Sequence, residues 1–455
     1  MSITHLGALK ANHRLAEAKK MLLEAVSEQQ KKLTGIRPSD PEREQYYNNA
    51  LETLAKYRGA PLWYPYLGSG IGNGALVELM DGSVKYDFIG GIGVHHFGHG
   101  HPEIISACVE GAISDLVMQG HLQQNTDSLE LIDILVTESK LDHCFLTTSG
   151  SMANENALKI AFQKNHPAKR ILAFEGCFCG RTLAMSQITE KPMVREGLPV
   201  DLDVDYIPFY SPEEPEKSTK RAIETLKKFL WRHPKGYALM IFEMIQGEGG
   251  YYPGDTEFFR QIMEVLKNHN IAIVIDEVQT FGRTSKLFAF QHFGLQDLVD
   301  MVNIGKLAQV CATLFTDEYN PRPGLLSQTF TSSSAAIHAS KTMIHLMIKE
   351  GFFGPNGKNM KINEHFTKNF KSIAKRHPNI IRGPYGLGAM VAFTPLDGDS
   401  NRIIQFGKNL FQAGVMSFVC GRDPTRARFL PPVGAVRPQD IDSVTKIVEE
   451  TLLCS

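Results

Sequence analysis

IAIVIDEVQ, residues 271–279, sets Ile271, Ala272, Ile273, Val274 and Ile275 in one apolar run and closes it on Asp276 and Glu277. An apolar run without polar alternation predicts a strand covered on both faces, the habit of parallel sheets. Ligands of such sheets gather at the carboxyl ends of the strands, where Asp276 falls. The stretch therefore predicts a place as well as an architecture.

On its N-terminal side, strand-like runs alternate with helical segments: CFLTT (144–148) before ANENALKIAFQK (153–164), RILAFEG (170–176), and ALMIFEM (238–244) before TEFFRQIMEVLKNH (256–269). Alternation of this kind predicts βαβ units and a mostly parallel sheet flanked by helices, an α/β fold. Earlier, ALVELMDGSVKYDFIGGIG (75–93) reads as a hairpin, with Asp81 and Gly82 supplying the turn. Residues 11 to about 56 are charged and helix-prone, broken near TGIRPSDPE (34–42) by Pro38 and Pro41. From about Ser334 the pattern is helical and ends with GAMVAFTP (388–395) and a last helix after Pro438. The expected division is an N-terminal helical segment and hairpin (1–85), a large domain (86–335) and a smaller α+β domain (336–455).

A chain of 455 residues can bury a large core in more than one lobe. Its formal charge of -1 carries no electrostatic footprint for nucleic acid or an acidic membrane surface. Seven scattered cysteines resemble no disulfide framework, and no stretch reaches about 18 consecutive apolar residues. The expectation is a soluble cytoplasmic protein with small-molecule partners.

Several segments are able to carry chemistry. Ser149, Gly150 and Ser151 stand at a strand-to-helix junction, where free backbone N–H groups and hydroxyls suit a phosphate; an ordinary helix cap reads the same way. Phe178, followed by Arg181, lies in a glycine-flanked loop after a strand, either as a core residue or as a platform for a flat ring. Glu243 and Glu248 bracket another strand-end loop, either solvated or working. Asp276 placed against a ring nitrogen would keep that nitrogen protonated and make the ring an electron sink, and Lys306 between Gly305 and Leu307 can supply a Schiff-base amine. The run His95, His96, His99 and His101 invites a metal reading, but no HExxH motif accompanies it and a glycine-rich turn explains it equally well. No metal site is expected.

Taken in order, eight segments resemble the class III aminotransferases, a branch of the fold-type I pyridoxal-phosphate enzymes. They are GGIGVHHFGHGHP (90–102), SGSMANENALKIA (149–161), GCFCGRT (176–182), FEMIQGEGG (242–250), IDEVQTFGRT (275–284), NIGK (303–306), SQTF (327–330) and RFLPPV (428–433). The resemblance implies pyridoxal 5'-phosphate as cofactor, with Lys306 as the Schiff-base lysine that also shuttles the proton and Asp276 on the pyridine nitrogen. It implies Gln279 on the phenolic oxygen, Gly150 and Ser151 on the phosphate, Phe178 and Val278 on the two ring faces, and Glu243 as the acid of the family's EPxQGE segment. Thr329 matches the threonine that reaches the phosphate of the partner subunit, which implies a homodimer. Arg428 matches the arginine for the substrate α-carboxylate, with Glu248 as its alternative partner; Arg181 matches a second carboxylate-binding arginine, and Ile92 a residue of the substrate channel.

Departures from the family pattern bear on the substrate. Cys179 stands where histidine is usual and Met244 where proline is usual; Thr331, Ser332, Ser333 and Ser334 replace a glycine-containing run. GKLAQVCATL (305–314) is similar to the corresponding segment of lysine 6-aminotransferases. The implied reaction is transamination of an amino acid with a distal amine, such as lysine, ornithine, acetylornithine or 4-aminobutyrate, to a 2-oxo acid such as 2-oxoglutarate. A decarboxylase, racemase or aminomutase on the same fold, or a non-catalytic homologue, is the alternative.

Overall fold

In the computed structural model, which describes residues 4–115 and 122–455, the apolar run becomes the strand Ala272–Glu277, buried at every residue. It belongs to a seven-stranded sheet whose members, in chain order, are β1 (His143–Thr147), β2 (Arg170–Phe174), β3 (Val204–Ile207), β4 (Tyr237–Phe242), β5 (Ala272–Glu277), β6 (Met301–Ile304) and β7 (Cys311–Phe315). Across the sheet the order is β1-β7-β6-β5-β4-β2-β3. The strand β5 pairs in parallel with β4 and β6, and β2 in parallel with β3 and β4; only β7 runs against its neighbours β6 and β1. The sheet is thus mostly parallel, as expected. The short strands β3, β6 and β7 had no counterpart among the expected runs.

Both faces of β5 are covered. Ala272 and Val274 share a core with Ala157, Leu158 and Ala161 of the helix Gly150–Lys164. The helix Thr256–Asn268 buries Phe258, Phe259, Ile262, Met263 and Leu266 along one stripe, and Phe259 stacks on Phe242 of β4 with ring centres 5.7 Å apart. Each such side chain contributes roughly 1.5–3 kcal/mol when fully buried, and this continuous apolar packing holds the strand ends in place.

The chain packs as two compact units. One comprises Met1–Ser114, Ile362–Pro384 and Val391–Ser455; the other, which holds the sheet, comprises Asp115–Lys361 and Tyr385–Met390. Composition divides the chain at 85 and 335, whereas in the structure the N-terminal segment, the hairpin and most of the C-terminal segment share a unit. The physical reason is a long-range pairing: Val415–Met416 joins the hairpin strand Val84–Asp87 in parallel, with Val415 opposite Tyr86.

Within that first unit the hairpin forms as expected, Leu76–Leu79 pairing antiparallel with Val84–Asp87 around Gly82, whose φ of 81° suits the turn. Three helices, His5–Lys10, His13–Gln30 and Pro41–Arg58, make up the N-terminal segment. It packs onto the hairpin region, because Gln30 Nε2 donates to the carbonyls of Gly72 and Gly100 at 2.9 Å each. The strands Val391–Pro395, Arg426–Phe429 and Phe418–Cys420 form an antiparallel run with Arg426–Phe429 in the middle.

Candidate active site

At the carboxyl end of β5 the chain turns sharply, and Asp276 is held on both oxygens. The backbone N–H of Val278 donates to Oδ1 at 2.9 Å and Asn154 Nδ2 donates to Oδ2 at 2.7 Å. Burial raises the Asp276 carboxyl above its ordinary range, while the bonds from Asn154 and Val278 and the charge of Lys306 pull it back. Lys306 is thus the positive charge that bears on this carboxylate.

Two more buried acids flank it. Burial, then the charge of Asp276, pushes Glu243 up to about 8, although it accepts hydrogen bonds from Gly247 N at 2.9 Å and Phe178 N at 3.2 Å. Glu277, also pushed up to about 8 by burial, accepts from Ala289 N at 2.7 Å and Phe290 N at 2.9 Å. Glu243 therefore pins the loop that carries Phe178, and Glu277 faces the opposite way to start the short helix Ala289–His292. Raised in this way, Glu243 and Glu277 keep their protons at neutral pH and serve as hydrogen-bonding anchors for the main chain.

Val278 is wedged between two glycines. A methyl group built on Gly150 would stand 2.7 Å from Val278 Cγ1, and one on Gly305 would stand 3.2 Å from the same atom. The start of the helix Gly150–Lys164 and the residue before Lys306 thus converge on one side chain. The cap of that helix is Ser149, whose Oγ accepts from Met152 N at 3.2 Å, and Ser151 Oγ accepts from Arg181 N at 3.4 Å.

Lys306 opens a single 3-10 turn, Lys306–Ala308, between β6 and β7 with φ of 50°, and Gln309 follows with φ of 60°. Two non-glycine residues in the left-handed region within so short a turn store backbone strain, a pattern that clusters at functional sites. The antiparallel β7 returns the chain at once, so Lys306 is fixed at the strand ends. Gln279 is buried, and among the described residues its Oε1 finds no hydrogen-bond partner.

The second unit therefore gathers Gly150, Ser151, Phe178, Glu243, Asp276, Val278, Gln279 and Lys306 around the end of β5. Arg181 is exposed, its guanidinium 5.9 Å from the centre of the Phe178 ring. Glu248 lies 3.8 Å from Lys191 Nζ. Thr329 is exposed beside Gln328, which accepts a bond from Thr147 Oγ1 at 2.8 Å. Arg428 and Ile92 belong to the first unit: Arg428 is fully buried in the strand Arg426–Phe429, 5.4 Å from the centre of the Phe418 ring, and Ile92 has φ of 63° in the turn Gly90–Gly93.

The histidine run has structural work in that unit. His99 Nε2 lies 2.9 Å from Asp87 Oδ2 and His95 stacks on His99 with centres 4.5 Å apart. Among the described residues no three metal-binding side chains converge. Cys177 and Cys179 are both buried, and Cys177 Sγ donates to the Ile188 carbonyl.

Sequence reading left Asn154, Asn303 and Thr313 without a role. Asn303 Nδ2 donates to Asn154 Oδ1 at 2.9 Å, and Thr313 Oγ1 donates to the Ala153 carbonyl at 2.9 Å. The available signal was a single polar residue inside each of the apolar runs MVNI and CATLF.

A parallel sheet with a lysine and a carboxylate at its strand ends, beside a glycine-edged helix start, is the layout of a fold-type I enzyme. The sequence model for the class III aminotransferases matches residues 70–452, and the chain belongs to that family of amino-group transferases. An acetylornithine aminotransferase of Methanocaldococcus jannaschii is 29% identical over 396 residues, covering 83% of this chain and 92% of that protein. Another, from Bradyrhizobium diazoefficiens, is 29% identical over 394 residues, with 84% and 91% covered. Among solved structures, an acetylornithine aminotransferase from Elizabethkingia anophelis superposes with TM-score 0.73 at 25% identity over 90% of this chain and 99% of that one. A lysine aminotransferase from Mycobacterium tuberculosis shares the fold, with TM-score 0.75 at 21% identity over 84% and 93% of the two chains.

Class III aminotransferases depend on pyridoxal phosphate. The residues present fit that group. Asp276 offers a carboxylate to a ring nitrogen, Gln279 an unsatisfied amide oxygen, and the edges of Gly150 and Gly305 leave no room for a side chain beside Val278.

Proposed function

We propose that this enzyme moves the distal amino group of an amino acid such as lysine, ornithine, acetylornithine or 4-aminobutyrate to a 2-oxo acid, with 2-oxoglutarate as acceptor. The observation that carries the chemistry is the buried Asp276, fixed on both oxygens at the end of β5 in the same strand-end cluster as Lys306. The distal-amine preference draws support from the acetylornithine aminotransferases among its relatives and from the segment 305–314.

When bound, pyridoxal phosphate supplies a carbon that condenses with amines and a ring that accepts the electron pair left by a broken C–H bond. Lys306 Nζ would hold that carbon in the resting enzyme and, as a free amine, would serve as the base that carries the substrate proton. Asp276 would keep the ring nitrogen protonated, Gln279 would bond the phenolic oxygen, and Phe178 and Val278 would hold the ring faces. Gly150 and Ser151 take the phosphate, together with Thr329 of a partner subunit in a homodimer. Glu243 keeps Phe178 in place through its main-chain bond. Arg428 binds a carboxylate in bidentate fashion, with Arg181 as a second carboxylate ligand, Glu248 as the acid that engages an arginine when no carboxylate needs it, and Ile92 lining the channel.

Cytoplasmic location accords with seven scattered cysteines that resemble no disulfide framework. The reading is tested by mixing the cofactor-loaded enzyme with lysine, ornithine, acetylornithine or 4-aminobutyrate and following the cofactor absorption, then adding 2-oxoglutarate. Conversion by at least one ω-amine and reversal by the 2-oxo acid are expected. Loss of carbon dioxide or racemisation without amine transfer would replace transamination with another reaction of the fold. Sedimentation of the native protein at the mass of one chain would remove the homodimer.

A further inference from the structure

Three neighbouring strands place a polar residue at matching positions, and the three stand in one row. Asp276 of β5 is directly opposite Asn303 of β6, and Asn303 is directly opposite Thr313 of β7. Residues paired in this way share a face of the sheet. Asn303 and Thr313 are completely buried, and a polar group placed there costs free energy unless it is bonded. Both find their partner on the helix Gly150–Lys164: Thr313 Oγ1 donates to Ala153 O, and Asn303 Nδ2 donates to Asn154 Oδ1.

Asn154 then uses every group it has. One amide hydrogen goes to Asp276 Oδ2 at 2.7 Å, the other to the carbonyl of Cys179 at 2.7 Å, and its oxygen accepts from Asn303. A flipped amide would turn an oxygen toward the Asp276 carboxylate and the Cys179 carbonyl, acceptor against acceptor on both sides, and an NH₂ toward the NH₂ of Asn303. The two acceptors thus choose the end of Asn154 that faces Asp276, and Asn303, whose own Oδ1 has no hydrogen-bond partner among the described residues, adds the donor that holds the other end. Cys179 itself brings no hydrogen bond to the carboxylate; its carbonyl instead anchors the amide that does.

We infer that Asn303, acting through Asn154, is a positioning residue that holds the Asp276 carboxylate in the orientation needed for the ring nitrogen of the cofactor. The same row also ties the first turn of the helix Gly150–Lys164 to the sheet, so the phosphate end and the ring-nitrogen end of the site keep a fixed spacing. This inference rests on the cofactor reading of the site given above. Neither asparagine touches the reacting atoms.

The experiment titrates the cofactor-free full-length protein with pyridoxal 5'-phosphate and measures its dissociation constant, alongside a thermal melt, for the parent, Asn154→Leu, Asn303→Leu and the double variant. Loss of a bond to a charged group is expected to weaken binding about ten- to a hundredfold in Asn154→Leu, with Asn303→Leu weakened in the same direction. The double variant should bind no worse than Asn154→Leu alone, because the two residues act in series. Asn303→Asp keeps the shape and sets an acceptor against Asn154 Oδ1; it should reproduce the loss of affinity even if the leucine variants fold poorly. Additive losses in the double variant, or lowered melting temperatures with unchanged affinity in Asn303→Leu and Asn303→Asp, would overturn the inference. A parent protein that binds no pyridoxal phosphate would instead remove the cofactor reading on which it stands.

Discussion

Gly150 and Val278 approach so closely that a methyl group on the glycine would stand 2.7 Å from Val278 Cγ1. The same valine faces Gly305, the residue before Lys306, at a distance that leaves 3.2 Å to a built methyl. Val278 is therefore a spacer between the start of a helix and the lysine turn, and small residues on both sides are a requirement of the packing.

Gly150→Ala should destabilise the protein by about 1–3 kcal/mol, the usual cost of overpacking, and weaken cofactor binding. Trimming the spacer should undo part of this, so Gly150→Ala with Val278→Ala should bind pyridoxal phosphate better than Gly150→Ala alone. Affinity titrations of the parent and the two variants check it; equal affinity in the single and double variants means the clash is not what matters.

Lys306→Ala should abolish turnover while leaving a protein that takes up pyridoxal phosphate without the lysine-linked absorption band. Because Lys306 sits at φ of 50°, the glycine variant escapes a penalty that alanine keeps. Chemical denaturation should place Lys306→Gly at or above Lys306→Ala by about 1 kcal/mol. Near-normal turnover in either variant would remove Lys306 from the mechanism.

Glu243 sets a pH dependence whose sign follows from its raised carboxyl. In the unfolded chain it loses its proton near the ordinary glutamate value of about 4.5, whereas in the fold it holds the proton to about 8. The folded state thus binds the extra proton across that window, and stability of the cofactor-free protein falls as pH rises from about 4.5 to about 8. Glu243→Gln should flatten this slope by up to about 1.4 kcal/mol per pH unit, the value for one proton; Glu277, raised in the same way, leaves the remaining slope in place. Urea titrations at several pH values read it directly, and an unchanged slope in Glu243→Gln would show that Glu243 is ionised throughout.

Arg428→Lys keeps the charge and loses the planar fork. With Arg428 as the carboxylate ligand, KM for 2-oxoglutarate should rise about tenfold or more while kcat changes less, since one of two parallel bonds is lost. Steady-state kinetics at saturating amino donor decide the matter, and an equal fall in kcat with unchanged KM would place Arg428 elsewhere in the cycle.

Much of this was legible in one dimension because the signals are local. An unbroken apolar run means burial on both faces wherever it occurs, so IAIVIDE announced β5 and the place of Asp276. The hairpin around Gly82 was legible for the same reason, since two residues and a turn propensity suffice. The strands β6 and β7, parted by a turn of few residues with no helical segment between them, lack the strand–helix alternation that announced β1, β2 and β4, and the reversal of β7 is a property of its partners alone. The division into units was hidden for a related reason: Val415 pairs with Tyr86 across most of the chain, and composition holds no trace of such a contact.

By itself, then, the sequence determined the strand that closes on Asp276 and Glu277, the lysine that ends NIGK, the order of the eight family segments and hence the class of chemistry. Only the tertiary structure decided that Asn303 stands opposite Asp276, that Asn154 uses all its hydrogen-bonding groups between them, and that Val278 spaces Gly150 from Gly305. The apolar run is encoded residue by residue. The polar row across it exists only once β5, β6 and β7 lie side by side, because register between strands is set by packing and cannot be written in any one of them.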